Sequence, residues 1–170
     1  MHIIRITELA ASGDPLVSGL LIEADGLRVL VDPGGSSGGV TTLPPALTAI
    51  ERLDAIVVTH AHADHSAGLP ALMAAYPTAR VLATPSTVAL LQILGRFTGS
   101  TMTHARAIPF YEPCTIEPTQ DGQAWTVRLL PAGHLLGAAM AVFETPVGCV
   151  VCSGDVSLAS QYTVLSLIHI

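Results

Sequence analysis

Six consecutive residues, His60-Ala61-His62-Ala63-Asp64-His65, carry three imidazoles and a carboxylate. These are the ligand types that transition-metal hydrolases use. A solvated polar loop is the plain alternative, but histidines with purely structural roles rarely cluster, because each buried ring needs its own hydrogen-bond partner. Other acidic and imidazole groups are placed in the same way. Asp32 follows the strand-like run Leu27-Arg28-Val29-Leu30-Val31, and His60 follows Ala55-Ile56-Val57-Val58. His134 comes shortly after Trp125-Thr126-Val127-Arg128-Leu129-Leu130, and Asp155 follows Gly148-Cys149-Val150-Val151-Cys152. Each group stands just past the C-terminal end of an expected strand, where layered α/β folds gather ligands on one sheet edge. The chemistry this suits is metal-assisted hydrolysis. A metal-free catalytic dyad is the weaker reading, since no Ser or Cys sits in a nucleophile-elbow pattern.

The elements that must position these groups are short. Residues 2–8, 18–24 and 27–32 are strand-like, with Ala24-Asp25-Gly26 as the turn between the second and third. The run Pro33-Gly34-Gly35-Ser36-Ser37-Gly38-Gly39 lacks the GxxxxGKS or GxxxxGKT pattern of a phosphate cradle. It reads as a flexible loop beside the site, and no organic-cofactor site is expected. Residues 44–51 form a helix candidate with proline at its start. Ser66 is expected to cap a helix running to about Tyr76, with Leu69, Leu72 and Met73 on one stripe. Residues 80–84 read as a strand, and Ser86 is expected to cap a second helix whose Val88, Leu91 and Leu94 face the core. Short strands and turns follow from 106 onward. The order predicts an α/β fold, a sheet layer with helices against it.

The chain of 170 residues is long enough for one domain with a sizeable core; half of it is hydrophobic and 12% is charged. No uninterrupted apolar run approaches the ~18 residues that span a bilayer, so no membrane partner is expected. Met1-His2-Ile3-Ile4-Arg5 alternates like a strand and lacks a signal-peptide core, which makes a cytoplasmic location the expectation. The formal net charge is −6 and all seven basic residues are arginines, scattered along the chain. Any nucleic-acid partner would therefore need positive surface from another part of the protein. Cys149 and Cys152 form a CxxC, but within one strand positions i and i+3 face opposite sides. Together with Cys114 they read as buried, reduced core cysteines.

Taken in order, Val31-Asp32-Pro33-Gly34, the His60 to His65 cluster, Ala132-Gly133-His134 and Ser153-Gly154-Asp155 resemble the first four motifs of the metallo-β-lactamase fold superfamily. The resemblance implies an αββα sandwich with a two-metal site at the edge between its sheets. It implies that His60, His62 and His134 bind one zinc, that Asp64 and His65 bind a second, and that Asp155 bridges both. Asp32 would hold the histidine loop by hydrogen bonds, and Asp64 lies where it could orient the bridging hydroxide. Two cations ~4 Å apart acidify a shared water and clamp the attacking and leaving oxygens of a displacement.

Finer likenesses point to one branch. The segment from Ala83 through Thr84-Pro85-Ser86-Thr87 to Leu91 is similar to the TPxT segment of β-CASP nucleases. Pro131 to Met140 is similar to their AGHxxGAA segment, and Cys152 to Ser157 to their SGD segment. That branch comprises RNA 3′-end-processing endonucleases, bacterial and archaeal RNases and some DNA-repair nucleases. It implies a zinc-dependent phosphodiesterase whose metal-bridged hydroxide attacks single-stranded RNA, with DNA the lesser expectation and a homodimer a possible assembly. Endo- and exonuclease action both stay open. A small-molecule hydrolase of the thioesterase or lactonase kind is the alternative within the superfamily. An inactive scaffold is a further one, disfavoured because all six ligands expected by residue 155 are present.

β-CASP enzymes insert a second domain after SGD and then return to complete the first. The insert carries an acidic motif and a histidine acting on the leaving group, and the return segment brings a last zinc-ligand histidine. None of these is in the sequence, and His169 stands too close behind Asp155 to be that ligand. Residues 1–163 are accordingly expected to be the amino-terminal portion of an incomplete metallo-β-lactamase sandwich, inactive by itself. Residues 164–170 resemble translated sequencing-adaptor DNA and are expected to be a non-native tail. His2 and His104 match no motif.

Overall fold

Strand alternation decides which core each residue joins. In β3 (Leu27–Val31), Leu27, Val29 and Val31 face one buried cluster while Leu30 faces another. In β4 (Ala55–Val57), Ala55 and Val57 face the first cluster and Ile56 the second. β5 (Arg80–Ala83) sends Leu82 to the first and Val81 and Ala83 to the second. The structure, a computed structural model, describes residues 3–9, 19–35, 50–97, 99–159, 164 and 166.

Two sheets carry this division. The first runs β1 (Arg5–Glu8), β2 (Leu20–Ala24), β3, β4, β5, β6 (Ala105–Ala107) across its width. Its first three strands pair antiparallel and β3 to β6 pair parallel, so those four end on the same edge. The second is an antiparallel sheet in the order β10 (Gly148–Cys152), β9 (Ala139–Thr145), β8 (Trp125–Pro131), β7 (Pro113–Ile116). Between the sheets, Ile22, Val29 and Val57 meet Trp125, Val127, Leu129, Ala141 and Phe143. On the outer face of the first sheet, α2 (Leu69–Ala75) and α3 (Pro85–Ile93) bury Leu69, Leu72, Met73 and Leu91 against Leu30, Ile56 and Val81. Among the described residues no helix covers the second sheet. Among the described residues the layers are helix, sheet, sheet, an α/β architecture that matches three of the four layers of the expected αββα sandwich.

The expected strands and the Asp25-Gly26 hairpin turn are present; both turn residues have positive φ, 45° and 83°, as a type I′ turn requires. Both expected helix caps are displaced. Ser66 ends the short helix α1 (Ala63–Ser66), and its Oγ donates back to the carbonyls of Ala61 at 3.1 Å and His62 at 2.8 Å. The chain breaks at Gly68 and restarts as α2, with Pro70 in a first turn where its missing N–H costs nothing. The cap of α3 is Thr84, not Ser86, because Pro85 already occupies the first turn; Thr84 Oγ1 accepts from the Thr87 amide at 3.2 Å. Leu91 is buried as expected, but Leu94, just past the end of α3, is 52% exposed. Cys152 is buried and Cys149 exposed, so only the former is a core cysteine of that pair; both are free. The helix expected over 44–51 lies largely outside the described residues, and its last two, Ile50 and Glu51, are not helical. The expected tail also lies mostly outside them. Among the described residues no helix is long and apolar enough to cross a membrane.

At the end of the sheets remote from the histidines, Asp54 braces the layers. Its buried carboxylate accepts from the Arg28 amide at 2.8 Å, the Thr119 amide at 2.8 Å, Thr119 Oγ1 at 2.6 Å and Arg52 Nη1 at 3.2 Å. Asp54→Ala strands these donors and should lower unfolding stability by ~2–4 kcal/mol, read as a fall in the urea midpoint without a change in slope.

Candidate metal centre

All six residues proposed as ligands, and Asp32, lie on the edge where the parallel strands end. Asp32 follows β3 directly, and His60, His134 and Asp155 each stand three residues beyond the ends of β4, β8 and β10. Asp32 has φ 52°, a left-handed turn that an aspartate tolerates better than most residues. It bends the chain after β3 so that the carboxylate, on a side chain 11% exposed, meets the histidine segment. There Oδ1 accepts from the Thr59 amide at 2.7 Å and Oδ2 from Thr59 Oγ1 at 2.7 Å. Oδ2 also lies 2.9 Å from His65 Nδ1.

These bonds set the tautomers. Thr59 Oγ1 gives its one proton to Asp32, so its contact with His60 Nδ1 at 3.1 Å is one in which the ring donates. His60 Nε2 is left as a lone pair facing the site. His65 donates from Nδ1 to Asp32 and likewise presents Nε2.

Four donor atoms converge from His60, His62, His134 and Asp155. His62 Nδ1 lies 3.1 Å from His60 Nε2 and 3.2 Å from His134 Nε2. Asp155 Oδ2 lies 3.9 Å from His60 Nε2 and 3.5 Å from His134 Nε2. A tetrahedral divalent ion with ligands about 2.0–2.1 Å away would space its donors about 3.3 Å apart, so this set fits such an ion. The other oxygen of Asp155 faces a smaller set: Oδ1 is 3.5 Å from His65 Nε2, which is 3.6 Å from Asp64 Oδ2. Asp155 thus stands between the two groups, with one oxygen toward each.

Electrostatics separate two of the histidines. Burial, then the neighbouring His65 and His62, push His60 from 6.5 down to about 3, against a smaller opposite pull from Asp155. It is a neutral imidazole, the form a metal needs. Burial also works against a charged His65, but the hydrogen bond and charge of Asp32, with Asp64 and Asp155, together outweigh it and raise its pKa. Cys152, beside Asp32 in a cavity of about 240 Å³ that also touches His65 and Asp155, is raised to about 11 by burial first and the Asp32 charge second. That thiol is inert.

Thr59 is the residue that sequence reasoning missed. Following the four apolar residues Ala55 to Val58, it reads as ordinary β-branched strand; only its place beside His60 is a hint. Its carbonyl accepts from the Ala139 amide of the second sheet at 2.9 Å. Gly154, at φ 54°, packs so closely that a Cβ there would lie 2.5 Å from Thr59 Oγ1, which explains a glycine before Asp155.

A histidine–aspartate centre on the edge of a two-sheet α/β sandwich defines a metallohydrolase domain. The chain belongs to the metallo-beta-lactamase superfamily, whose family model matches residues 13–167. It is 31% identical over 165 residues to ribonuclease TTHA0252 of Thermus thermophilus, covering 89% of this chain and 37% of that protein. It is 30% identical over 165 residues to ribonuclease J of Mycolicibacterium smegmatis, covering 91% of this chain and 28% of that one. Hydroxyacylglutathione hydrolase of Stenotrophomonas maltophilia is 40% identical over 79 residues, 46% of this chain and 29% of the relative. The chain therefore spans about a third of the length of these relatives. Among solved structures, the metallo hydrolase Igni18 of Ignicoccus hospitalis shares the fold with TM-score 0.61 at 20% identity, over 83% of this chain and 58% of that one.

The His60 shift has a defined sign. Between 6.5 and about 3 the unfolded chain binds a proton that the folded chain refuses, so this contribution is intact above 6.5 and lost as pH falls toward 3. His65, raised, acts oppositely: its contribution is intact below 6.5 and lost as pH rises through its folded value. In chelator-treated protein, His60→Gln should flatten the acid side of the stability profile by up to ~1.4 kcal/mol per pH unit, measured by urea unfolding from pH 7 to 4.

Proposed function

We propose that this chain is the amino-terminal part of a zinc-dependent ribonuclease of the β-CASP type, acting on single-stranded RNA. The observation that carries this reading is the reach of the ribonuclease likenesses. They run through 89% and 91% of the chain, whereas the hydroxyacylglutathione hydrolase likeness covers 46%. Thr84-Pro85-Ser86-Thr87 and the loop from Pro131 to Ala138, which resemble β-CASP segments, are also packed together beside the centre.

On this reading His60, His62 and His134 hold one zinc, Asp64 and His65 a second, and Asp155 both. Bound there, the pair supplies Lewis acidity and a nucleophile usable at neutral pH. Asp32 keeps His65 turned with Nε2 toward the centre and, through Thr59, does the same for His60. Asp64, 45% exposed, orients the attacking water, and Asp155, 47% exposed, leaves the phosphodiester an open approach. The final zinc ligand, the leaving-group acid and the positive surface for the RNA backbone come from the rest of the protein.

A second reading has its own support. The 40% identity to hydroxyacylglutathione hydrolase and a largely apolar recess of about 420 Å³ beside His134 suit a small thioester. The two are separated with the full-length protein of the source gene, assayed on single-stranded RNA and on a hydroxyacylglutathione thioester. The expected result is RNA cleavage that a chelator stops and His62→Ala lowers by ~10³-fold or more, with little thioester turnover. Thioester turnover without RNA cleavage would reverse the assignment. Residues 1–170 alone should show negligible ribonuclease activity in the same assay.

A further inference from the structure

His60 and His65 each have a ring nitrogen anchored, to Thr59 and Asp32 respectively. His134 does not: its Nε2 faces His62 and Asp155, and among the described residues no hydrogen bond holds its Nδ1. The placement of that imidazole therefore rests on its backbone, the loop from Pro131 to Ala138. Two internal bonds close this loop, the Ala132 amide to the Ala138 carbonyl at 3.0 Å and the Ala138 amide to the Leu135 carbonyl at 2.9 Å.

Two points of the loop are gripped from outside: the Ala132 carbonyl accepts from the Ser157 amide at 3.1 Å, and Gly137 is held by the first sheet's helical layer. The Gly137 carbonyl accepts from Thr84 Oγ1 at 2.7 Å and from Thr87 Oγ1 at 3.0 Å. Each hydroxyl has a single proton; the two oxygens also lie 3.0 Å apart, and both protons can be directed to the Gly137 oxygen while Thr84 Oγ1 still accepts from the Thr87 amide. Both threonines are essentially fully buried, 1% and 0% exposed, so these bonds are not shared with solvent. The fit admits only glycine: Gly137 has φ 83°, and a Cβ there would lie 2.7 Å from Thr84 Oγ1 and 2.8 Å from the Thr87 amide. The threonines open α3 on the first sheet's helical layer, and the loop belongs to the second sheet. The grip therefore spans the two sides of the site.

We propose that Thr84 and Thr87 are positioning residues for His134: acting through the Gly137 carbonyl, they hold its imidazole at the distance from His60 and His62 that a shared metal ion requires. The inference rests on the metal reading of His60, His62, His134 and Asp155. It concerns residues that touch neither metal nor substrate, and it assigns a task to two hydroxyls that helix capping only half explains.

Cobalt(II) titration of the 170-residue chain tests it, because tetrahedral cobalt has visible bands that report ligand geometry apart from any turnover. The unsubstituted chain should give a tetrahedral spectrum. Thr87→Val, which keeps the shape and loses the hydroxyl, should bind cobalt at least ~10-fold more weakly with shifted bands, and Thr87→Ser should restore both. Thr87→Ala carries the same expectation, so a folding failure of the valine variant leaves the test intact. Asp54→Ala, destabilised at the far end of the sheets, should keep the unsubstituted spectrum, which separates positioning from general weakening. Unchanged affinity and bands in folded Thr87→Val or Thr87→Ala overturn the proposal. Absence of any cobalt spectrum from the unsubstituted chain overturns the metal reading instead, and the positioning role with it.

Discussion

The carboxylate of Asp32 is buried where the two sheets meet, and a buried carboxylate persists only if its oxygens are hydrogen-bonded. Here the donors are the Thr59 amide, the Thr59 hydroxyl and His65 Nδ1, all within 2.9 Å. Bonds to an ionised acceptor are roughly twice as strong as neutral ones, so the chain after β4 is tied firmly to the chain after β3. Thr59 then passes the constraint on. Its carbonyl takes the Ala139 amide and so engages the second sheet, and its side chain is the surface against which Gly154 is fitted. The segments bearing His60, His134 and Asp155 are all referred to Thr59, which is not one of the converging donors.

This arrangement follows from topology. Parallel strands β3 and β4 must end on the same edge, so groups that follow them are brought together without long excursions. β4 is only three residues long, yet it is held at both ends by acidic side chains, Asp54 before it and Asp32 after it. The edge distant from the histidines is a brace, and the near edge is the site. Separating the two leaves polar groups at the site selectable for chemistry, while the interior is settled by alternation alone.

Much of this was legible in the sequence because two signals coincide there. Strand-like runs mark where the backbone turns, and acidic or imidazole residues just past them mark the edge. What stayed hidden involves contacts distant along the chain. Asp54 meets Thr119, and Gly137 meets Thr84 and Thr87; no local pattern announces either. Thr59 gives no signal because a threonine closing a strand-like run is already explained by its β-propensity. Ser66 and Ser86 read as caps in the sequence because a serine before an apolar stripe satisfies the capping rule. In each case a neighbouring constraint prevailed: at Ser66 the short helix carrying Asp64 and His65, at Ser86 the proline that had already started the helix.

The loop after β8 is fixed by its backbone, at Ala132, at Gly137 and at its own closing bonds, and not by the side chains between. Leu135 and Leu136 line the apolar recess, and Leu136 is 49% exposed. Neither side chain supplies a hydrogen bond on which His134 depends; Leu135 contributes only its backbone carbonyl. The loop is therefore a frame with interchangeable panels: its two leucines can drift toward larger, smaller or more polar side chains and reshape what lies against the recess, while the imidazole one residue away keeps its place. Descendants of such a chain could diverge in preference without first surviving a loss of metal.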